Sequence, residues 1–339
     1  FDHDPATGES LGLLIEESRT NIALYSEQFD NNANWTKTTG TTVVSNATTA
    51  PDGNLTADRI IYDGSGTAGN YRIYTGGTTS VLNQSYTASV WLKADSNVTV
   101  RIYGNSVAGP FVTCNLTTQW QRFSTSGTGN GVSSIQLLVY SASSDNTAIS
   151  FYMWGAQLEA GSFATSYIPT TTATVTRSPD ITSISSSNMS WFRPQEGTWV
   201  IDTYKTGGLT GTYSALFYIY PTTPNRQELW KAFSSARLRY NYYDDSGTSQ
   251  VGITASNDLV SGRNKIYAAY KTNDCTLGIN GVNAGTDTVA TMQTSLSSST
   301  YMGLFSVPIG SGEFWNGHIS RFTYYPVKLN STQLTNLTL

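Results

Sequence analysis

The chain has 339 residues, and its 19 Lys plus Arg and 23 Asp plus Glu make only 12% of them charged, while aromatics also reach 12%. An ordinary soluble domain carries about 25% charge, and a chain this rich in aromatics is not disordered. A formal net charge of −4 and a pI near 5.2 exclude a phosphate-neutralising surface, and with it nucleic acid as a partner.

No run approaches the ~18–20 apolar residues needed to cross a bilayer. The chain begins at Phe1, without an initiator Met or a signal peptide, and reads as a fragment or processed product of something longer. Residues 1–20 form a lead-in, with turns at Asp4-Pro5 and Thr7-Gly8 and a short docking strand at Leu11 to Ile15. From there the pattern is β. Period-2 alternation recurs at Tyr86 to Lys93, Val98 to Tyr103, Ile135 to Tyr140 and Ile149 to Trp154. It continues at Trp199 to Tyr204, Tyr213 to Tyr220, Leu238 to Tyr243, Lys265 to Lys271 and Cys275 to Asn280. These runs are rich in Val, Ile, Tyr, Phe and Trp and are separated by Gly, Ser, Asn or Asp turns, the signature of an all-β sandwich.

The stretch Pro169 to Pro179, followed by the Ser-rich Ser183 to Asn188, lacks sustained alternation and reads as a boundary. Trp35, Trp91, Trp120 and Trp154 precede it; Trp191, Trp199, Trp230 and Trp315 follow it, so two aromatic-anchored cores are expected. The expected organisation is therefore a lead-in at 1–20, a jelly roll at 21–174, a linker at 175–190 and a second β-sandwich at 191–339. The fold class is all-β, two β-sandwich (jelly-roll) domains in tandem with almost no helix. One short helix, Thr332 to Leu337, would be capped by Asn330 or Ser331.

Chemistry-bearing motifs are sparse. Cys114 and Cys275 lie in different halves and read as two separate thiols, and with only His3 and His318 a Cys/His metal site lacks ligands. Gly64 to Gly69 fits Gly-x-Gly-x-x-Gly, but a strand-like Asn70 to Tyr74 follows where a phosphate-binding helix would have to start. Glycosidase chemistry needs two carboxylates across a cleft. Glu196 and Asp202 stand six apart around Trp199, Asp244-Asp245 reads as a turn, Glu16-Glu17 falls in the lead-in, and His318 is the only realistic base for a Ser-His-Asp set. No catalytic residue is assigned. A lyase built on Tyr and Arg would leave no short motif.

Alternation assigns faces. With Tyr86, Ala88, Val90 and Leu92 inward, Trp91 joins Thr87, Ser89 and Lys93 outside; Val98, Val100 and Ile102 leave Arg101 and Tyr103 outside; Ile135, Leu137 and Val139 leave Gln136 and Tyr140. In the second half Leu238, Tyr240 and Tyr242 alternate with Arg237, Arg239, Asn241 and Tyr243. Flat aromatic faces, amides and Arg forks suit sugars, which present apolar C–H faces and many hydroxyls. The candidate carbohydrate-binding residues are thus Trp91, Arg101, Tyr103, Tyr140, Arg237, Arg239 and Tyr243. Burial of the same outer aromatics against another domain or subunit stands beside this reading.

Residues 21–174 resemble a family 4/9 carbohydrate-binding-module jelly roll of the form found in phage tail proteins. The resemblance lies in Tyr25-Ser-Glu-Gln-Phe-Asp30 with Trp35, Ala50-Pro-Asp-Gly53, Gln119-Trp-Gln-Arg-Phe123, and Trp154 to Gly161 ending at Thr165 to Pro169. From about Trp199 the chain is similar to concanavalin A-like, laminin-G-type sandwiches, through Asn264 to Tyr270, Leu277 to Val282 and Asn316 to Pro326. The lead-in, with Gly12-Leu-Leu-Ile-Glu-Glu17, is similar to that of the same phage proteins. These resemblances imply a glycan-binding, receptor-binding part of a tail fibre or spike, exposed on the virion or outside the cell. Its partners would be cell-surface polysaccharide and other virion proteins, in a homotrimer by likeness to fibres, with no nucleic acid and no membrane insertion. They also imply a structural Ca2+ near Asp30 and Glu159, though no cofactor is required by the residues themselves. The alternatives are a virion decoration or assembly module packing on sister chains, and a polysaccharide-degrading enzyme with an unrecognised site.

Overall fold

The period-2 runs pair into antiparallel sheets in the computed structural model, which describes residues 2–3, 8–66, 71–105, 111–142, 147–205, 213–220, 226–232, 235–244, 246–292, 301–305 and 314–339. The chain divides into two compact units. Ser18–Ser178 forms one, the inserted unit; Phe1–Glu17 joins Pro179–Leu339 as the other, the split unit. The boundary thus falls inside the expected 175–190 linker, whose ends belong to sheets. Val175–Arg177 pairs with Arg19–Asn21 in the inserted unit, and Thr182–Ser185 pairs with Tyr301–Leu304 in the split unit.

Two sheets make the inserted unit. One runs in the order Val112–Leu116, Val98–Asn105, Ser134–Ser141, Arg72–Thr75 and Trp35–Lys37, with Thr78–Thr79 beside Ser134–Ser141. The other runs Gln121–Thr128, Ser85–Lys93, Ile149–Ala160, Ala57–Tyr62 and Thr41–Thr48. The inward alternation positions form its core: Val90 and Leu92 belong with Val100, Ile102, Leu137 and Val139, around the fully buried Trp35, Tyr62 and Phe151. Ile149–Ala160 runs beyond the expected Trp154 because Gly155, at φ 64, absorbs a bulge that turns Trp154 out of that core. Residues 67–70 of the Gly-rich stretch lie outside the described residues; the next element is the strand Arg72–Thr75, as expected.

The split unit is a second sandwich. Its first sheet runs Asp2–His3, Ser10–Ile15, Gly317–Tyr325, Glu196–Lys205, Gly262–Lys271, Cys275–Ile279 and Val282–Asp287. Its second runs Thr182–Ser185, Tyr301–Leu304, Ser214–Tyr220, Arg226–Lys231, Arg237–Tyr243 and Ser249–Asp258. The lead-in is therefore a strand of this sandwich, with Leu13 opposite Ile319 and Ile15 opposite Gly317, and Ile15 enters the core beside Trp199 and Trp315. Gly12 permits this approach: its φ is 90°, and a Cβ there would overlap the Ile319 carbonyl. Ser331–Thr338 is the one α-helix among the described residues. Asn330 accepts from the Gln333 amide and Gln333 accepts from the Asn330 amide, each at 3.0 Å, a reciprocal cap. Its Leu334 packs on Val200, Tyr267 and Ala269, so the helix covers the outer face of the first sheet. Cys114 and Cys275 are free and buried, and burial pushes their thiols up to about 12 and about 11.

Candidate functional site

In the inserted unit, register brings Arg101, Tyr103 and Tyr140 together. Arg101 lies opposite Thr113 on one side and Tyr140 on the other, and Tyr140 opposite Arg72. A parallel row places Tyr103 opposite Leu138, Leu138 opposite Tyr74, and Tyr74 opposite Thr36. Strands are about 4.8 Å apart, so the Arg101–Tyr140–Arg72 row covers about 10 Å, roughly the length of two sugar rings. Arg101, Tyr103, Tyr140, Arg72 and Tyr74 are all half-buried. Arg101 hydrogen-bonds the Tyr140 hydroxyl and lies 4.4 Å over the Phe111 ring; burial raises the Tyr140 pKa against the lowering pull of Arg101. The Nε atoms of Arg72 and Arg101 are buried without a hydrogen-bond partner among the described residues. Beside Arg101 a cleft of about 500 Å³ opens between Thr99, Thr113, Ser141 and Thr147.

Trp91 stands apart from this group. It belongs to the other sheet and is half-buried in a satellite cluster with Ala50, Ala57, Trp120, Trp154 and Tyr167. Alternation does set it outward, but segments 49–57 and 163–168 fold over that face. Thr87 and Ser89 are buried there, and Arg122 ties them down by bonding Ser89 Oγ at 2.9 Å and the Thr165 carbonyl at 2.6 Å. The indole N–H groups of Trp120 and Trp154 are spent on Thr49 and Thr56.

In the split unit the outer face of the second sheet carries Arg237, Arg239, Asn241 and Tyr243, as alternation predicts, with Arg226, Glu228 and Trp230 of the neighbouring strand interleaved. Arg226 stacks 3.8 Å over Tyr243 and pairs with Glu228 at 3.2 Å; Asn241 donates to Glu228 at 2.9 Å. Arg237 pairs with Asp258 at 3.3 Å. Arg239 lies 5.3 Å over Trp230, whose ring is 5.3 Å from Tyr213. Sequence reasoning missed Arg72, Tyr74, Tyr213, Arg226 and Trp230 as members of these faces. Arg226–Lys231 escaped because its inward positions are Gln227, Leu229 and Lys231, so no apolar alternation marks it. The Arg–x–Tyr spacing of Arg72 and Tyr74, the same as in Arg101 and Tyr103, was the available signal.

The acid candidates do not converge. Glu196 and Asp202 lie on one strand, about 20 Å apart at 3.3 Å per residue, far beyond a glycosidase pair. Glu196 is 3.9 Å from Lys271, and Asp202 is held by Arg263 at 2.7 and 2.9 Å. His318 is buried with its ring 6.2 Å from that of Tyr204. Asp244 caps its turn by accepting from Ser246, Thr248 and Gln250, while Asp245 lies outside the described residues.

Calcium ligation by Asp30 together with Glu159 does not fit. Glu159 is fully buried, and its oxygens accept from Gln157 Nε2 at 2.8 Å, the Thr165 amide at 2.9 Å and Thr165 Oγ1 at 2.7 Å, with Arg19 at 3.8 Å. Asp30 instead lines a cleft with Glu27 and Asp58, where Asp58 accepts from the Phe29 and Asn46 amides and burial raises its pKa to about 6. Among the described residues no group of three or more His, Cys, Asp or Glu is arranged to hold a metal ion, and no helix is long and apolar enough to cross a membrane.

No protein-family model matches the chain, and a search of curated proteins gives no match. Among solved structures it is similar over 47% of its length to a carbohydrate-binding module (CBM40) of a Ruminococcus gnavus sialidase bound to α2,3-sialyllactose, with 14% identity, 96% of that chain covered and a TM-score of 0.36. A heptameric pentraxin from Limulus polyphemus matches over 43% of this chain and 72% of its own, at 11% identity and a TM-score of 0.33. Domain 4 of an extracellular arabinanase from Geobacillus stearothermophilus, in complex with arabinotriose, matches over 44% and 68%, at 12% identity and 0.35.

Proposed function

We propose that the chain is a non-catalytic glycan-binding part of a phage or phage-like particle appendage, a tail fibre or spike that adheres to cell-surface polysaccharide. The observation that carries the binding reading is the half-buried Arg–Tyr lattice of the inserted unit, where Arg72, Tyr74, Arg101, Tyr103 and Tyr140 share one face. The opposite sheet of the same unit has its outer face closed over by segments of the chain. Tyrosine rings offer flat platforms to sugar C–H faces, and the arginines offer N–H forks to hydroxyls. The phage setting is supported by the sequence resemblance.

The test is binding of the full chain to a panel of host surface polysaccharides. Tyr103→Ala and Arg101→Gln are each expected to weaken binding about tenfold, in line with the ~1–3 kcal/mol reported for loss of one stacked or charge-assisted contact, while Trp91→Phe leaves it unchanged. Intact folding with no binding to any polysaccharide overturns the reading.

Packing on sister chains is a second reading, favoured by one observation. Val81, Leu82 and Val132 are 62%, 63% and 80% exposed, and Leu82 sits directly against Gly131, so the three form one apolar tip. A trimer in solution that Leu82→Asp dissociates would support it; a monomer at all concentrations would remove it.

A further inference from the structure

The arginines on the outer face of the second sheet in the split unit differ in their partners. Among the described residues three arginines, Arg226, Arg237 and Arg239, stand on it with two carboxylates, Glu228 and Asp258. Arg226 is neutralised by Glu228, and Arg237 by Asp258. Arg239 has no carboxylate within ion-pair distance among the described residues. Its guanidinium is exposed and carried on the Trp230 ring, which orients it while leaving its in-plane N–H donors unspent. A second donor beside it also lacks an acceptor among the described residues, since the Trp230 Nε1 is buried without a hydrogen-bond partner there. Tyr213, 43% exposed and 5.3 Å from Trp230, extends the aromatic surface outward.

We propose that Arg239, with Trp230 and Tyr213, forms an acidic-sugar site in which the planar guanidinium takes a sugar carboxylate in a fork and the two rings carry the sugar's apolar face. This rests on the glycan-binding reading and names the substrate class of its second surface. A planar carboxylate matches two parallel N–H donors of an arginine, a geometry that a lysine ammonium does not reproduce. The neighbouring ion pairs act as a frame. Both Glu228 oxygens are engaged, one by Arg226 and the other by Asn241, so an incoming anion meets an arginine that this carboxylate does not pair.

The full chain is tested against polygalacturonate, its fully methyl-esterified form, a sulfated neutral glucan and dextran, by affinity electrophoresis at 50 and 300 mM NaCl. Retention by polygalacturonate is expected, with loss on esterification and weakening at high salt. Arg239→Gln should lower affinity for polygalacturonate about tenfold or more, and Arg239→Lys should recover only part of it. Trp91→Phe should leave retention by the acidic polymer unchanged. Arg239 is exposed, so both variants keep the fold, which near-ultraviolet circular dichroism verifies. Equal retention of the esterified polymer, preference for the sulfated glucan, or wild-type binding by Arg239→Gln overturns the carboxylate site. Binding to dextran alone overturns it while leaving the glycan-binding reading intact; binding to no polysaccharide on the wider host panel removes both.

Discussion

Lys205 and Lys231 show at the scale of single residues why some of this protein could not be read in advance. Both sit at inward positions of strands and are almost fully buried, and they repel one another. Lys205 is lowered to about 7, by burial first, then by Lys231, against the pull of Glu17; Lys231 is lowered to about 8 by burial. Lys205 gives its ammonium to the Trp315 carbonyl and lies 4.7 Å over the Trp315 ring. Between about pH 7 and its ordinary value of 10.5 the unfolded chain holds a proton at this position that the folded chain releases. Stability from Lys205 therefore rises with pH across that window, and its cost is greatest at and below pH 7. Lys205→Met is expected to stabilise the split unit by about 1–4 kcal/mol at pH 7 and to flatten the rise between pH 7 and 10. Urea unfolding at several pH values checks both.

At the scale of elements, the lead-in strand and the aromatic faces divide what alternation can and cannot say. Ser10–Ile15 was legible as a docking strand, but its partner was not, because pairing with Gly317–Tyr325 joins residues some 300 positions apart. Gly12 is where the pairing is most exacting. Gly12→Ala forces a Cβ against the Ile319 carbonyl in a left-handed backbone, and is expected to cost about 2–3 kcal/mol, read as a lower unfolding midpoint with an unchanged slope. Alternation likewise named the outward side of Ser85–Lys93 correctly. It could not foresee that residues 163–168 would close over that side, because the covering segment has no period of its own. Arg101, Tyr103 and Tyr140 were legible as outward residues for the converse reason: their strands are regular, and inward Val and Ile mark the phase.

For the whole molecule, the consequence is an insertion. One sandwich is continuous in sequence, and the other is completed by the first 17 residues of the chain. The fragment 18–178 owns both its sheets and is expected to fold alone, with cooperative unfolding. The fragment 179–339 lacks Ile15 of its core and leaves the Gly317–Tyr325 edge unpaired, so it should be less stable by several kcal/mol and regain stability when residues 8–17 are fused back. Thermal unfolding of the three proteins decides this, and equal stability of 179–339 with and without the strand would contradict it.

The order of residues by itself determined the β class, the presence of two aromatic-anchored cores, the capped terminal helix and the outward phase of Arg101, Tyr103, Tyr140, Arg237, Arg239 and Tyr243. These follow from period-2 patterning, turn residues and capping chemistry, all of which are local. Only the tertiary structure decided which outward residues share a face, which are roofed over, and which arginine is left without a carboxylate. Those depend on strand register and long-range pairing, and neighbours across a sheet leave no mark in the spacing along the chain.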